Sequence, residues 1–280
     1  MAEILGLGCT HWPTLCGKNA TLTSVFKRVL SAPNVDPTVK DPANWPAELL
    51  AELGNDDGLA AANRCAERFR TDFRALRKTL DDFEPDFVLV WGDDQYENFK
   101  EDIVPPFCVL GYDPEFDLQP WHNGKSGQPN RWDEPGDWTL HLKGHREAAK
   151  YLATGLIERG IDLAYAYRPL HHPMAHAFTN TFLYLDWDRA GFPYPVVPFA
   201  INCFGRDLIH SHGGLGHLFA PPRPATDTCD PPAPQPWRCM DVGAAVAEVL
   251  AASPYRVALV ASSSWSHCFL SPKHGYLWPD

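Results

Sequence analysis

The segment Leu59–Phe83 carries apolar or small residues at Leu59, Ala62, Cys65, Phe69, Phe73, Leu76 and Leu80, with charged residues between them. Steps of three and four place such residues on one stripe of an α-helix. Pro85 ends the pattern, and Phe87–Trp91 follows at once as an unbroken apolar run. A run with no polar alternation is a strand buried on both faces, as in the interior of a parallel sheet. A helix feeding a doubly buried strand constrains this chain more than any other feature, because it is the unit from which α/β sheets are built.

The same alternation recurs. Glu3–Cys9 reads as a short strand, Gly144–Arg159 has helical period, and Asp162–Tyr167 reads as a strand. Phe178–Leu185 is an apolar helix, Val196–Asn202 a strand, Val242–Ala252 a helix and Arg256–Ala261 the last strand. The prediction is a three-layer α/β/α sandwich around a mainly parallel or mixed central sheet. Residues 17–58 are expected to be loop-rich with at most short helices, since Pro33, Pro37, Pro42 and Pro46 punctuate them. Pro105–Trp138 is predicted irregular, and Ala220–Trp237 is too rich in proline for helix or sheet.

Composition removes several classes of function. A net charge of −11 provides no basic face for nucleic acid or a membrane surface. No run of about 18 apolar residues occurs, so no spanning helix is expected. The N-terminal MAEILGLGCTHWP has no positive leader region, and the eight cysteines form no C-x-x-C pair. Reduced thiols in a cytoplasmic protein are the expectation. No G-x-G-x-x-G or G-K-[ST] phosphate loop is present. Twelve histidines and ten tryptophans suggest instead an aromatic-lined cavity that carries histidine.

The candidate site follows from where polar residues interrupt the apolar runs. Asp93, Asp94 and Gln95 follow the strand FVLVW, and carboxyl ends of strands are where α/β proteins place their chemistry. His11 follows the first strand, His176 opens the apolar helix after the middle strand, and His267 follows the last strand. If these strands run parallel, the three histidines converge on one crevice with Asp93–Gln95. His172 and His176 have the i,i+4 spacing of a zinc pair, but Pro173 interrupts it and the usual Glu is missing. His210, His212 and His217 lie in a glycine-bearing stretch that reads equally as a lid or as an exposed loop.

Five motifs in order carry a resemblance: T-H-W-P at Thr10–Pro13, the G-D-D turn at Gly92–Asp94, H-A-F-T-N-T-F-L from His176, V-V-P-F-A-I-N from Val196, and V-A-S-S-S-W-S-H ending at His267. Together they resemble the catalytic subunit of the class III extradiol ring-cleavage dioxygenases, over residues 3 to about 275. The resemblance implies one catalytic domain over residues 1–280; residues 205–237, which are less clearly shared, read from their composition as a long His/Pro-rich loop. It implies a non-haem Fe(II) enzyme that opens a catechol- or aminophenol-type ring with O2. His11 matches the first iron ligand, His267 the acid/base histidine, and His176 a pocket histidine that orients substrate or oxygen. Trp12, Tyr96 and Trp265 suit contact with a planar ring, and Arg168 and Lys273 are candidates for a substrate carboxylate.

Two positions depart from the pattern. Gln95 stands where the second histidine ligand is expected, so its carbonyl, or Asp94 or Asp93, becomes the candidate donor. The family's glutamate ligand lies in a helical segment beyond the S-x-x-S-H motif, whereas this sequence stops at Asp280. Either a further C-terminal helical segment, a second copy or a second subunit completes the site, or this protein has lost the iron triad. The competing readings are a hydrolase or lyase that uses the same histidines without iron, and a non-catalytic binding relative.

Overall fold

The computed structural model describes residues 2–122, 129–213 and 216–263. In chain order the elements are β1 (Glu3–Cys9), α1 (Asn19–Ser31), α2 (Ala47–Leu53), α3 (Leu59–Phe83), β2 (Phe87–Asp93), β3 (Phe107–Leu110), β4 (Phe116–Leu118) and β5 (Leu140–Gly144). There follow α4 (Arg146–Glu158), β6 (Ala164–Ala166), α5 (His176–Leu185), β7 (Pro195–Ile201), α6 (Leu208–Ser211), α7 (Gly216–Phe219), α8 (Pro236–Ala251) and β8 (Arg256–Ser262). The protein is α/β with a mixed sheet. Its strand order is β1-β8-β2-β7-β3-β6, and β5 joins β7 and pairs with β4.

The strands β1, β8, β2 and β7 run parallel, with Cys9 opposite Ser262 and Asp93 opposite Ile201. Their carboxyl ends therefore share one edge. Strand β3 is antiparallel to β7 and pairs Phe107 with Ile201, so it begins at that same edge. The connection from Asp94 to Pro106 consequently stays at the edge instead of crossing the sheet. This keeps the acidic turn where the strand ends are.

Burial on both sides of β2 explains its apolar sequence. Val88 and Val90 join one core cluster with Phe178 and Phe182 of α5, while Phe87 and Leu89 join another with Leu152 of α4 and Val246 of α8. Alternate residues of a strand point to opposite faces, so a strand that meets apolar neighbours on both has no position for a polar side chain. On α3 the buried stripe runs through Ala62, Ala66, Phe73 and Leu80, and Cys65 and Leu59 are exposed.

Several elements differ from the sequence expectation. Residues 17–58 contain a 13-residue helix, α1, because the prolines begin only after its last turn and Leu22 and Val29 supply a buried face. The stretch predicted irregular, Pro105–Trp138, includes β3 and β4. These strands are four and three residues long, too short for periodicity to register. Residues 220–235 carry no helix or strand, as their prolines require. Among the described residues the cysteines are free thiols, and no helix is long and apolar enough to cross a membrane.

Candidate active site

Two residues beyond the end of β1, His11 is 1% exposed. Its Nε2 lies 3.2 Å from Asp93 Oδ1, and its Nδ1 lies 3.0 Å from the hydroxyl of Ser262, the last residue of β8. The imidazole is thus held between the ends of two neighbouring strands. Ser262 Oγ in turn donates to the Ala177 carbonyl at 2.9 Å, and Thr181 Oγ1 lies 2.6 Å from it. Asn180 donates to the His11 carbonyl at 3.0 Å, so α5 fixes both backbone and ring.

His176 arrives by a different route from the one the strand pattern suggests. Strand β6 is parallel to β3, and therefore ends at the edge opposite to β2. The segment after Tyr167 must travel back across the molecule. Asn98 secures its return: its amide nitrogen donates to the His172 carbonyl at 2.7 Å, and its oxygen accepts from Ala175 N–H at 2.9 Å. Tyr112 donates its hydroxyl to the neighbouring Pro173 carbonyl. The His176 and His11 rings then meet edge to face, with centroids 5.3 Å apart. His172 precedes α5, so the two histidines do not share a helix turn and the zinc-pair spacing is not realised.

Glu97 is the residue that sequence reasoning missed. Its Oε2 accepts from both the backbone N–H of His176, at 3.0 Å, and the ring Nδ1, at 2.7 Å. Burial opposes the charged form of each partner. For His176 the hydrogen bond and charge of Glu97, with Asp93 and Asp94, outweigh it and raise the imidazole above its ordinary value. For Glu97 burial likewise works upward, but His176 prevails and holds the carboxyl below the usual range. A carboxylate on Nδ1 leaves Nε2 as the nitrogen that can exchange a proton with a bound molecule.

The acidic turn divides its labour. Asp94 accepts the backbone N–H groups of Glu97, Asn98 and Phe99, at 3.1, 2.8 and 3.4 Å. It is a turn-former, and burial pushes its carboxyl up to about 6. Gln95 donates its amide N–H to Asp93 Oδ2 at 2.7 Å. Tyr96 adopts φ 60°, a left-handed backbone that a bulky residue rarely takes. Its ring stacks on His212 at 4.2 Å and 8°, and its hydrogen bond to Glu101 pushes the hydroxyl up to about 12. Gly213 closes the same contact, since a Cβ there would lie 2.8 Å from Gln95 Cβ. His212 thereby docks on the acidic turn, whereas His210 hydrogen-bonds the Pro221 carbonyl.

A cavity of about 620 Å³ opens beside these groups and is lined by Tyr96, Glu97, Lys100, Trp121, His172 and His176 among others. Trp12 is not among its lining residues. That side chain packs against Phe69 of α3, and its carbonyl accepts the Tyr184 hydroxyl at 2.6 Å. His267, Trp265 and Lys273 lie outside the described residues.

The described residues alone do not fit an iron site of two histidines and one carboxylate. His11 and Asp93 converge, but Gln95 is engaged with Asp93, Asp94 with three backbone amides, and His176 Nδ1 with Glu97. Among the described residues no group of three His, Cys, Asp or Glu could hold a metal ion.

No family model matches the chain. It is similar to curated enzymes named as 2,3-dihydroxyphenylpropionate/2,3-dihydroxicinnamic acid 1,2-dioxygenases. The protein from Photorhabdus laumondii is 25% identical over 214 residues, 75% of this chain and 52% of that protein. One from Pseudomonas putida is 30% identical over 136 residues, 48% of this chain and 36% of its own. A third, from Comamonas testosteroni, is 24% identical over 193 residues, 69% of this chain and 46% of that relative. The chain thus spans about half, or less, of the length of the curated dioxygenases to which it is similar.

Proposed function

We propose that this chain forms the catalytic domain of an extradiol-type ring-cleavage dioxygenase, which opens a catechol-type or aminophenol-type ring with O2. The observation that carries the reading is the meeting of His11, Asp93 and the Glu97–His176 pair at one sheet edge, beside a cavity of ring-accommodating size. Similarity to 2,3-dihydroxyphenylpropionate 1,2-dioxygenases supports it, as do the five ordered motifs. Clusters on both faces of β2 support the three-layer sandwich, and the free thiols suit the reducing cytoplasm.

In this reading His176 Nε2 takes a proton from a substrate hydroxyl, and Glu97 stabilises the imidazolium that results. Tyr96 and Trp121 flank the ring on the cavity wall. His267, with Trp265 beside it, is proposed to share the proton handling. Fe(II) is the proposed cofactor and would supply binding of the diol and O2. His11 is its proposed first donor and Asp93 the nearest carboxylate, with Gln95 and Asp94 engaged elsewhere. The remaining donors are proposed to come from residues outside the described ones or from a second subunit.

The test is oxygen uptake by anaerobically Fe(II)-loaded protein with catechol, protocatechuate, gallate, 2-aminophenol and 2,3-dihydroxyphenylpropionate, together with the absorbance of a ring-opened product. Uptake with at least one of them is expected. Absence of uptake across the panel overturns the proposal. Turnover of an aromatic substrate without oxygen uptake, and unaffected by exhaustive chelation, would favour the metal-independent hydrolase or lyase, for which the engaged Gln95 amide is the specific argument.

A further inference from the structure

We propose that Lys100 receives the anionic side chain of the ring substrate, so that the cavity selects carboxylate-bearing diols over neutral ones. This rests on the ring-opening reading and adds to it a substrate class and the residue that enforces it.

The cavity that His176 lines is also lined by Lys100. Among its described lining residues Lys100 is the one permanent cation. The other charged groups on the wall already have partners. Glu97 holds His176 at 2.7 Å, Asp117 lies 2.8 Å from His141 Nδ1, and His171 lies 2.6 Å from Asp102. Lys100 forms no ion pair among the described residues. Its Nζ instead lies 5.4 Å from the centroid of the Tyr96 ring. A cation supported by an aromatic ring keeps its charge available to an incoming anion.

The support under Lys100 is built with some strain. Tyr96 is held at φ 60°, and its ring is braced by the parallel His212 ring at 4.2 Å. Left-handed backbone at a bulky residue is costly and is found preferentially where a ligand is clamped. The turn that places Lys100 is the one that Asp94 organises through three backbone amides. Lys100 and the Glu97–His176 pair are therefore positioned by a single rigid loop. A volume of about 620 Å³ leaves room for a ring at His176 and a short acidic arm reaching the lysine.

Arg168 offers a poorer anchor. It lines a different cavity, of about 360 Å³, its side chain is 84% exposed, and it already approaches Asp113 at 4.0 Å.

The experiment is anaerobic equilibrium binding to the full chain, read by tryptophan fluorescence. It compares 3-(2,3-dihydroxyphenyl)propionate with its methyl ester, for wild type, Lys100→Met and Lys100→Arg, with melting curves to verify folding. The acid is expected to bind wild type more tightly than the ester. Lys100→Met should weaken the acid by about tenfold or more, the loss expected for a charged hydrogen bond, and leave the ester within about twofold. Lys100→Arg should retain most of the preference. Equal binding of acid and ester by wild type, or equal weakening of both by Lys100→Met, overturns the proposal. Selective, Lys100-dependent binding of the acid without oxygen uptake by the Fe(II)-loaded protein would leave the anion site standing and overturn the ring-opening reading. Oxygen uptake with acid and ester alike, unchanged in ratio in Lys100→Met, would do the reverse.

Discussion

The Nε2 of His11 and the Oδ1 of Asp93 meet at 3.2 Å although they follow different strands. A neutral imidazole has one proton for two nitrogens. If Nε2 carries it, His11 donates to Asp93, and Nδ1 must accept from Ser262. If Nδ1 carries it, Ser262 Oγ accepts and turns its own proton to Ala177, 2.9 Å away. Nε2 and Asp93 then face each other as two acceptors, an arrangement that needs a cation or a second proton between them. Ser262 is compatible with both states, so it holds the ring in place while what faces Nε2 decides which tautomer is present.

Ser262→Ala is therefore expected to leave His11 Nδ1 without that buried partner. The stability loss should be about 0.5–1.5 kcal/mol, that of one hydrogen bond, measured as a shift in the urea midpoint. An unchanged midpoint would show that the hydroxyl does not support the ring.

The ion pair of Glu97 and His176 gives stability a pH signature. His176 is raised on folding, so its contribution is full below its unfolded value of 6.5 and is lost as pH rises through the folded value. Glu97 is lowered, so its contribution is present above 4.5 and lost as pH falls through the folded value. The pair is at full strength between these unfolded values. Glu97→Gln should abolish the pH dependence that the pair adds on both sides of that window. It should also move the acidic limb of any activity profile to lower pH, because the neutral amide no longer supports the imidazolium. Superimposable stability and activity profiles for the two proteins would refute the coupling.

Which parts of this were legible in the sequence follows from the range of each interaction. Strand β2 and helix α3 were readable because an apolar run and a three-four stripe are local patterns. His11 and Asp93 were recognisable as strand-end residues, since β1 and β2 do run parallel within one sheet. His176 was expected beside His11 and does meet it, but by a different route. Its preceding strand runs the opposite way, and Asn98 brings the chain back. Glu97 was invisible because its partner lies 79 residues away, and nothing in the spacing of either residue encodes that contact. Trp12 followed the usual expectation that an aromatic residue beside a site histidine meets substrate, but the apolar side of α3 lies nearer and takes it.

Asp94 provides a prediction of opposite sign to that of Glu97. Burial raises its carboxyl from 3.8 to about 6, so its stabilising contribution is complete below 3.8 and disappears as pH rises through 6. Asp94→Asn should flatten the stability profile across that interval. It also replaces one accepting oxygen by an N–H₂ group that cannot accept a backbone amide. A net loss of about 1–3 kcal/mol at pH 5 is expected from the donor left unpaired. Retained stability with an unchanged profile would mean that the turn does not depend on this carboxylate.

Gly92 tests whether close packing of α5 on β2 sets the site. A Cβ at this position would lie 2.8 Å from Phe178 Cε1 and 3.2 Å from Ala177 Cβ. Phe178 is fully buried, so its ring has no open direction in which to retreat. Gly92→Ala must then push the first turn of α5 away from the strand, carrying His176 and the Ala177 carbonyl with it. Overpacking of this kind costs about 1–3 kcal/mol. The more diagnostic effect is chemical: separation of His176 from Glu97 removes the hydrogen bond that raises the imidazole. NMR titration of the His176 ring should therefore show a lower pKa in Gly92→Ala than in wild type. If stability falls while the His176 titration is unchanged, the glycine serves packing alone and the pair is held by the Asp94 turn.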